Sequence, residues 1–393
     1  MVTYLRIPSQ ELFPTKGPVS PEQLIGRSDE IASLEAQLRG GSHQILAGPR
    51  RTGKTSACDA TVARLHAQGF YVVAIDLFQV ESLAALAERI VLGAFSNRAP
   101  FKRALPAIRR AGRKIGLAAR ITATLKHEFG TDIEFAFGPG ADHKTDGERF
   151  EFALNLLEKL ATADDHPVVL YLDEFQEIEA SDRRFGNPDL ITKMMRAILQ
   201  RSPTVTCLFA GSIEHMLRDI FTTEKRAMFQ FGSFVTLAPI DNDAWVDGLR
   251  KAYNRDKTLI TDAALEILLT ASAGVPRATM LLAQQSHLVA VEHGVLAVDA
   301  SEVYQGIEYA MDAERPTHES EVVRIRNLRA HAFTVAQRIA GGEAPYGRGL
   351  GAKTVGRALT SLRDAGMVTQ SESRSWQLVD PLLSRYLDQF SVY

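Results

Sequence analysis

Apolar positions along the chain follow two alternating periods. Residues 28–39 (SDEIASLEAQLR) place Ile31, Leu34 and Leu38 at helical spacing, with Ser28 as an N-cap. Residues 43–47 (HQILA) read as a short strand entering a glycine turn, and 53–67 as the helix after it. Further strands are predicted at 70–77 (FYVVAIDL), 167–172 (PVVLYL), 204–210 (TVTCLFA) and 234–240 (FVTLAPI). The run at 167–172 is apolar throughout, as for a central parallel strand buried on both faces. Helical patterns, such as the one at 81–96, separate these strands. Strands alternating with helices predict a parallel α/β sheet.

From 241 the strand pattern stops. Residues 242–254, 262–272, 277–292 and 300–313 read as four helices, a helical lid. ERPTHES at 314–320 reads as a linker. A helix over 320–339, a glycine-rich turn, a helix near 352–365 and two short strands at 367–370 and 375–379 complete the pattern. Residues 1–20 hold three prolines and read as an extended arm. The expected organisation is an arm (1–20), a sheet domain (21–240), a lid (241–315) and a C-terminal domain (316–393). No internal repeat is evident.

Composition narrows the class. With 393 residues, two or three domains are expected, and 45% hydrophobic against 23% charged residues supports packed cores. The formal net charge of −2 gives no overall attraction to nucleic acid, so only a local patch could bind it. Such a patch exists. Residues 98–126 carry nine basic side chains and no acidic one: Arg98, Lys102, Arg103, Arg109, Arg110, Arg113, Lys114, Arg120 and Lys126. The two cysteines, Cys58 and Cys207, lie far apart without metal-like neighbours, which fits a reducing cytosol. The N-terminus lacks a signal-peptide pattern, and no apolar run reaches the roughly 20 residues that span a bilayer. A cytoplasmic protein without a membrane partner is expected.

The chemistry lies in two motifs. Gly48-Pro49-Arg50-Arg51-Thr52-Gly53-Lys54-Thr55 matches G-x-x-x-x-G-K-[ST] between a predicted strand and a predicted helix. Such a loop turns its backbone N–H groups toward phosphate oxygens, and the helix that follows, through Ser56, adds its positive end. Lys54 is expected to reach the β/γ-phosphates of ATP and the Thr55 hydroxyl to ligate Mg2+. Asp173 and Glu174 end the run VVLYL, where a parallel strand presents carboxylates to a ligand crevice. Asp173 is expected to hold Mg2+ through water, and Glu174 to orient or deprotonate the attacking water. A strand-capping pair, or a magnesium role without hydrolysis, are the plainer alternatives.

These motifs, together with Gly26-Arg27, LFAGS at 208–212 and Gly274-Val-Pro-Arg277, fall in the order of AAA+ proteins. With a C-terminal domain ending in Asp380-Pro381-Leu382-Leu383, the chain resembles the archaeal-type ATPases, near the origin-recognition initiators and the STAND ATPases. The resemblance spans roughly residues 20–390. It implies an α/β fold: a P-loop AAA+ domain on a parallel sheet, a helical lid and a C-terminal winged helix. It also implies that Ile25, Gly26 and Arg27 lie against adenine. Ser212 would be the polar sensor near the γ-phosphate, a helix N-cap being the plainer reading, and Arg277 the lid arginine that senses that phosphate. Archaeal-type ATPases carry an arginine just before the fifth strand, where this chain has Phe229-Gln-Phe-Gly-Ser233. Arg226 is the nearest candidate for an arginine finger acting on a neighbouring subunit of a homo-oligomer; a solvated charge beside Lys225 is the alternative.

Two partners fit. Arg109, Arg110, Arg113 and Lys114 lie on one flank of a predicted helix, where they could contact duplex phosphates. Lys353 and Arg357 lie on the candidate recognition helix of the winged helix, with Arg363 at its end and Arg374 in the wing. A DNA-associated ATPase follows from these readings. A STAND-like switch acting on a protein partner, in signalling or defence, is the alternative.

Overall fold

The computed structural model describes residues 6–98, 145–179, 184–237, 239–347, 349–370 and 375–389. The basic segment therefore lies outside the described residues apart from Arg98, as does Arg374. The chain divides into two compact units.

The first unit, Glu30–Ala47 with Ala57–Thr236, holds a five-stranded parallel sheet. Its strands are β1 (Gln44–Ala47), β2 (Tyr71–Asp76), β3 (Val168–Asp173), β4 (Val205–Gly211) and β5 (Ser233–Thr236), in the order β2-β3-β4-β1-β5. Every residue of β1, β3 and β4 is buried, which accounts for their largely apolar runs. The edge strands β2 and β5 are partly exposed. The sequence pattern extended β5 to 240, but pairing stops at Thr236, short of Pro239, which has no N–H to donate to a ladder. Helices cover the sheet with capped ends. Ser82 caps Leu83–Ser96, Thr145 and Glu148 form a capping box on Asp146–Asp164, and Asn187 caps Pro188–Leu199. Ser28 proves to be the first residue of its helix, Ser28–Arg39, rather than its cap, and Ile31, Leu34 and Leu38 are buried as their spacing predicts.

The second unit comprises Met1–Asp29, Gly48–Ser56 and Leu237–Tyr393. Its lid helices are Asn242–Arg255, Asp262–Ser272, Pro276–Glu292 and Ala300–Arg326, with a short parallel pair of strands, Leu259–Ile260 and Ala297–Val298. The predicted linker at 314–320 does not exist: Ala300–Arg326 is one continuous helix with Pro316 inside it. The buried stripe Ile307, Ala310, His318, Val322, Ile325 runs through the proline at helical spacing, so packing on both sides outweighs its missing N–H.

The arm also differs from its expected extended form. Ser9–Leu12 is a helical turn, and Leu12 and Phe13 are buried in the lid core, with the Phe13 ring 4.6 Å from that of Tyr253. Burying such side chains contributes about 1.5–3 kcal/mol each, enough to dock a short proline-rich segment. Ser9 Oγ bonds to His287 Nδ1 at 2.8 Å, and the Ile7 N–H donates to Asp256 at 2.6 Å.

At the C-terminus, helices Ala332–Ala340, Ala352–Asp364 and Pro381–Asp388 and the antiparallel hairpin Val368–Gln370/Trp376–Leu378 enclose a core of their own. No helix among the described residues is long and apolar enough to cross a membrane.

Candidate functional site

In the second unit, the loop Gly48–Ser56 folds back on itself. Arg51 and Gly53 take φ of 70° and 85°, in the left-handed region that costs nothing at glycine and about 1–2 kcal/mol elsewhere. The Thr52 hydroxyl and the Lys54 ammonium both donate to the Pro49 carbonyl, at 2.9 and 2.5 Å. Lys54 is buried, and Ser56 accepts from the Val19 N–H at 3.1 Å. Arg27, also buried, donates to the Thr52 carbonyl at 3.3 Å. Ile25 packs against the lid core at Gly248, and Gly26, with φ of 62°, lies against Ile240. The structure thus brings Ile25, Gly26 and Arg27 together with the loop and the first lid helix. Arg277 of Pro276–Glu292 grips Glu314 with both terminal nitrogens, at 2.9 and 3.0 Å. Arg51 forms an ion pair with Asp380, the N-cap of Pro381–Asp388.

In the sheet unit, the ends of β3 and β4 bring Asp173, Glu174 and Ser212 together. Asp173 is buried and accepts from the Glu174 N–H at 2.9 Å. Glu174 adopts a left-handed φ of 51°. Its Oε2 accepts from the Ser212 hydroxyl at 2.8 Å, from the Ser212 N–H at 3.4 Å, and from Gln176 Nε2. Gln176, buried beneath, was not picked out from the sequence. Its place depends on Gly211, where a Cβ would sit 2.1 Å from Gln176 Oε1 and 2.8 Å from a Leu217 methyl carbon. A glycine at the end of an apolar strand, facing an acidic pair, is the sequence signal for such a close approach.

Asp59 is a second residue the motifs did not flag. It lies on helix Lys54–Ala67, half-buried among Ala57, Cys58 and Ala60. Its carboxyl is pushed up to about 6, by burial first and by the Asp173 charge second. A carboxyl that binds its proton more tightly when folded supports the fold only while protonated. That support is complete below the ordinary Asp range near 4 and is lost as pH rises through about 6. Asp59→Asn is therefore expected to raise the melting temperature at about pH 8 and to change it little at about pH 4, in melts without divalent cations. Equal shifts at the two pH values would refute this account.

Arg226 is held within its own chain. It donates to Asp219 at 2.5 and 3.0 Å, to Glu179 at 3.1 Å and to Asp189 at 3.3 Å. The hydrogen bond to Asp219 is the first cause raising its pKa. Lys353 and Arg357 are exposed, one turn apart, on helix Ala352–Asp364, whose Val355, Ala358, Leu359 and Leu362 are buried. Arg98 pairs with Asp164 at 2.8 Å. Arg109, Arg110, Arg113 and Lys114 lie outside the described residues.

A parallel sheet in this order, a glycine-flanked lysine loop after β1 and an acidic pair after β3 define an α/β P-loop fold of the AAA+ class. Residues 23–204 match the family described as AAA ATPase domain. Among solved structures, the chain is similar to the Walker-type ATPase PABY2304 of Pyrococcus abyssi, with a TM-score of 0.68 and 15% identity over 96% of this chain and 99% of that one. It is also similar to the Aeropyrum pernix ORC2 protein in ADPNP–ADP complexes, with a TM-score of 0.59 and 17% identity over 99% of both chains. The ADP form of that protein aligns with a TM-score of 0.54 and 15% identity over 97% of both chains. At these identities the likeness is one of fold. No curated protein matches.

Proposed function

We propose that this chain binds and hydrolyses Mg-ATP and uses its nucleotide state to control a DNA-associated activity through a C-terminal winged helix and the basic segment 98–126. The observation that carries the first part is the AAA ATPase domain match across 23–204, which contains both the Gly48–Thr55 loop and the Asp173–Glu174 pair. In this reading the loop amides and Lys54 hold the phosphates. Ile25, Gly26 and Arg27 contact the adenine, Glu174 acts on the attacking water, and Ser212 and Arg277 report on the γ-phosphate. Thr55 and Asp173 are the magnesium ligands. Hard oxygen donors suit that ion. Bound magnesium supplies charge neutralisation on the phosphates. The three carboxylates already on Arg226 argue against an arginine finger at that residue, since it would have to leave them first.

Three observations support the DNA part: exposed Lys353 and Arg357 on one face of a helix, a hairpin following that helix, and nine cations without a carboxylate in 98–126. Replacing Arg109, Arg110, Arg113 and Lys114 with Gln is expected to leave ATP binding intact and to weaken duplex binding equally across sequences, because the contacts are to phosphates. The slope of log affinity against log salt should fall by up to about 0.9 per lost contact. Anisotropy titrations with and without ATP, across salt, measure both. Wild-type affinity and slope in the variant would remove the segment from the DNA surface. Absence of duplex binding by the wild type in either nucleotide state would favour a STAND-like switch acting on a protein partner.

A further inference from the structure

Arg51 and Asp380 lie far apart in the chain and perform unrelated local tasks. Arg51 is inside the Gly48–Thr55 loop, in a left-handed conformation that a non-glycine residue adopts only when its surroundings impose it. Asp380 caps helix Pro381–Asp388 with one carboxylate oxygen, which accepts from the N–H groups of Leu382 and Leu383 at 3.0 and 3.4 Å. Its other oxygen takes the Arg51 guanidinium. Both side chains are largely withdrawn from solvent, at 26% and 14% exposure, so water screens this pair less than a surface one. A second pair, Arg277 with Glu314, and the fully buried ring of His318 lie close enough to interact with them electrostatically. The charges of Asp380, Glu314, Arg51 and Arg277 all act on that ring. Neither of its nitrogens has a hydrogen-bond partner among the described residues, and it packs 5.2 Å from the ring of Tyr386, on the helix that Asp380 caps.

We propose that the Arg51–Asp380 ion pair is a latch holding the C-terminal domain to the phosphate-binding loop, opened when an ATP phosphate takes Arg51 from Asp380. The proposal rests on the reading of Gly48–Thr55 as a phosphate loop. A carboxylate engaged on Arg51 occupies the charge that a phosphate would use, and a phosphate offers the guanidinium more acceptor oxygens than a carboxylate whose other oxygen is committed to a helix cap. The closed state also carries a cost that opening would relieve: a buried histidine whose two nitrogens have no partner among the described residues. Pro316, between Glu314 and His318 in helix Ala300–Arg326, supplies a point where that helix can bend. The C-terminal domain would thus read the nucleotide directly at the loop, in addition to any signal passed by Arg277.

The test is hydrogen exchange over Pro381–Asp388 in the full chain, without nucleotide and with Mg-ATP or a slowly hydrolysed analogue. In the wild type, ATP is expected to speed exchange in this helix. Asp380→Asn retains a capping oxygen and removes the charge, whereas Arg51→Gln leaves the cap untouched. Both are expected to give the fast exchange without nucleotide. If the latch closes about nine-tenths of the nucleotide-free molecules, Asp380→Asn also raises apparent ATP affinity about tenfold, because the competent fraction rises by that factor. Slow exchange in either variant overturns the latch. A wild type that binds ATP with unchanged exchange in this helix overturns the latch alone, whereas a wild type that binds no ATP overturns the phosphate-loop reading as well.

Discussion

Lys54→Ala is expected to remove measurable ATP binding, with a loss of at least about a hundredfold in affinity, or about 2.7 kcal/mol. The size follows from the surroundings of the ammonium. Lys54 is buried at the start of helix Lys54–Ala67 and now donates to the Pro49 carbonyl inside its own loop. A phosphate oxygen is a far stronger partner for that donor than a carbonyl, and hydrogen bonds to charged groups contribute about 1.5–3 kcal/mol each. Alanine removes the charge and leaves the backbone amides, which orient the anion but cannot neutralise it. The Arg51 guanidinium does not make up the loss, because a phosphate must first draw it away from Asp380. Pro49 keeps a donor in the variant through the Thr52 hydroxyl, so the loop is expected to retain its shape and the melting temperature to change little. Calorimetric titration with ATP, beside a melt of the same sample, measures both. Affinity within a few-fold of wild type would remove Gly48–Thr55 from the nucleotide site.

How far the sequence alone could lead depends on the range over which each feature is determined. The five strands were legible because burial is written locally: β1, β3 and β4 have no exposed position, so any register shift would still show an apolar run. The lysine loop and the acidic pair stand out for a different reason: each is a contiguous motif, readable before the fold brings its partners to it. The two misread segments, the arm and 314–320, share a cause. Both combine proline with polar neighbours, which locally signals a break, while the deciding contacts come from elsewhere in the chain. Phe13 meets Tyr253, and His318 meets Tyr386. Gln176 and Asp59 stay hidden in the sequence for the same physical reason. A glutamine two residues past an acidic pair is ordinary until Gly211 clears room for it, and an aspartate on a helix is ordinary until β3 places Asp173 beside it. Asp380 was noticed as part of a family-like ending, yet nothing in its neighbourhood pointed to Arg51, which is 329 residues away.

Glu174→Gln is expected to separate ATP binding from turnover, leaving nucleotide affinity near wild type while steady-state phosphate release falls by about a hundredfold or more. Glutamine fits the same space and can still accept from the Ser212 hydroxyl and N–H through its carbonyl oxygen, so the Ser212 contacts survive. What disappears is the carboxylate. In the present arrangement Ser212 and Gln176 all converge on Oε2, and Oε1 carries none of those three bonds. The carboxylate is thus oriented through Oε2 by these three bonds. Its left-handed backbone, with φ of 51°, is a conformation that persists when surrounding contacts over-determine it, as at positions set for chemistry. An amide in this place can still orient water but cannot take its proton. The variant should therefore trap ATP, seen as retention of unhydrolysed nucleotide in a single-turnover assay. Phosphate release at the wild-type rate would show that Glu174 is not the catalytic group. Loss of ATP affinity together with turnover would instead place Glu174 among the groups that hold the nucleotide, and the magnesium-binding reading of the acidic pair would then take precedence over hydrolysis.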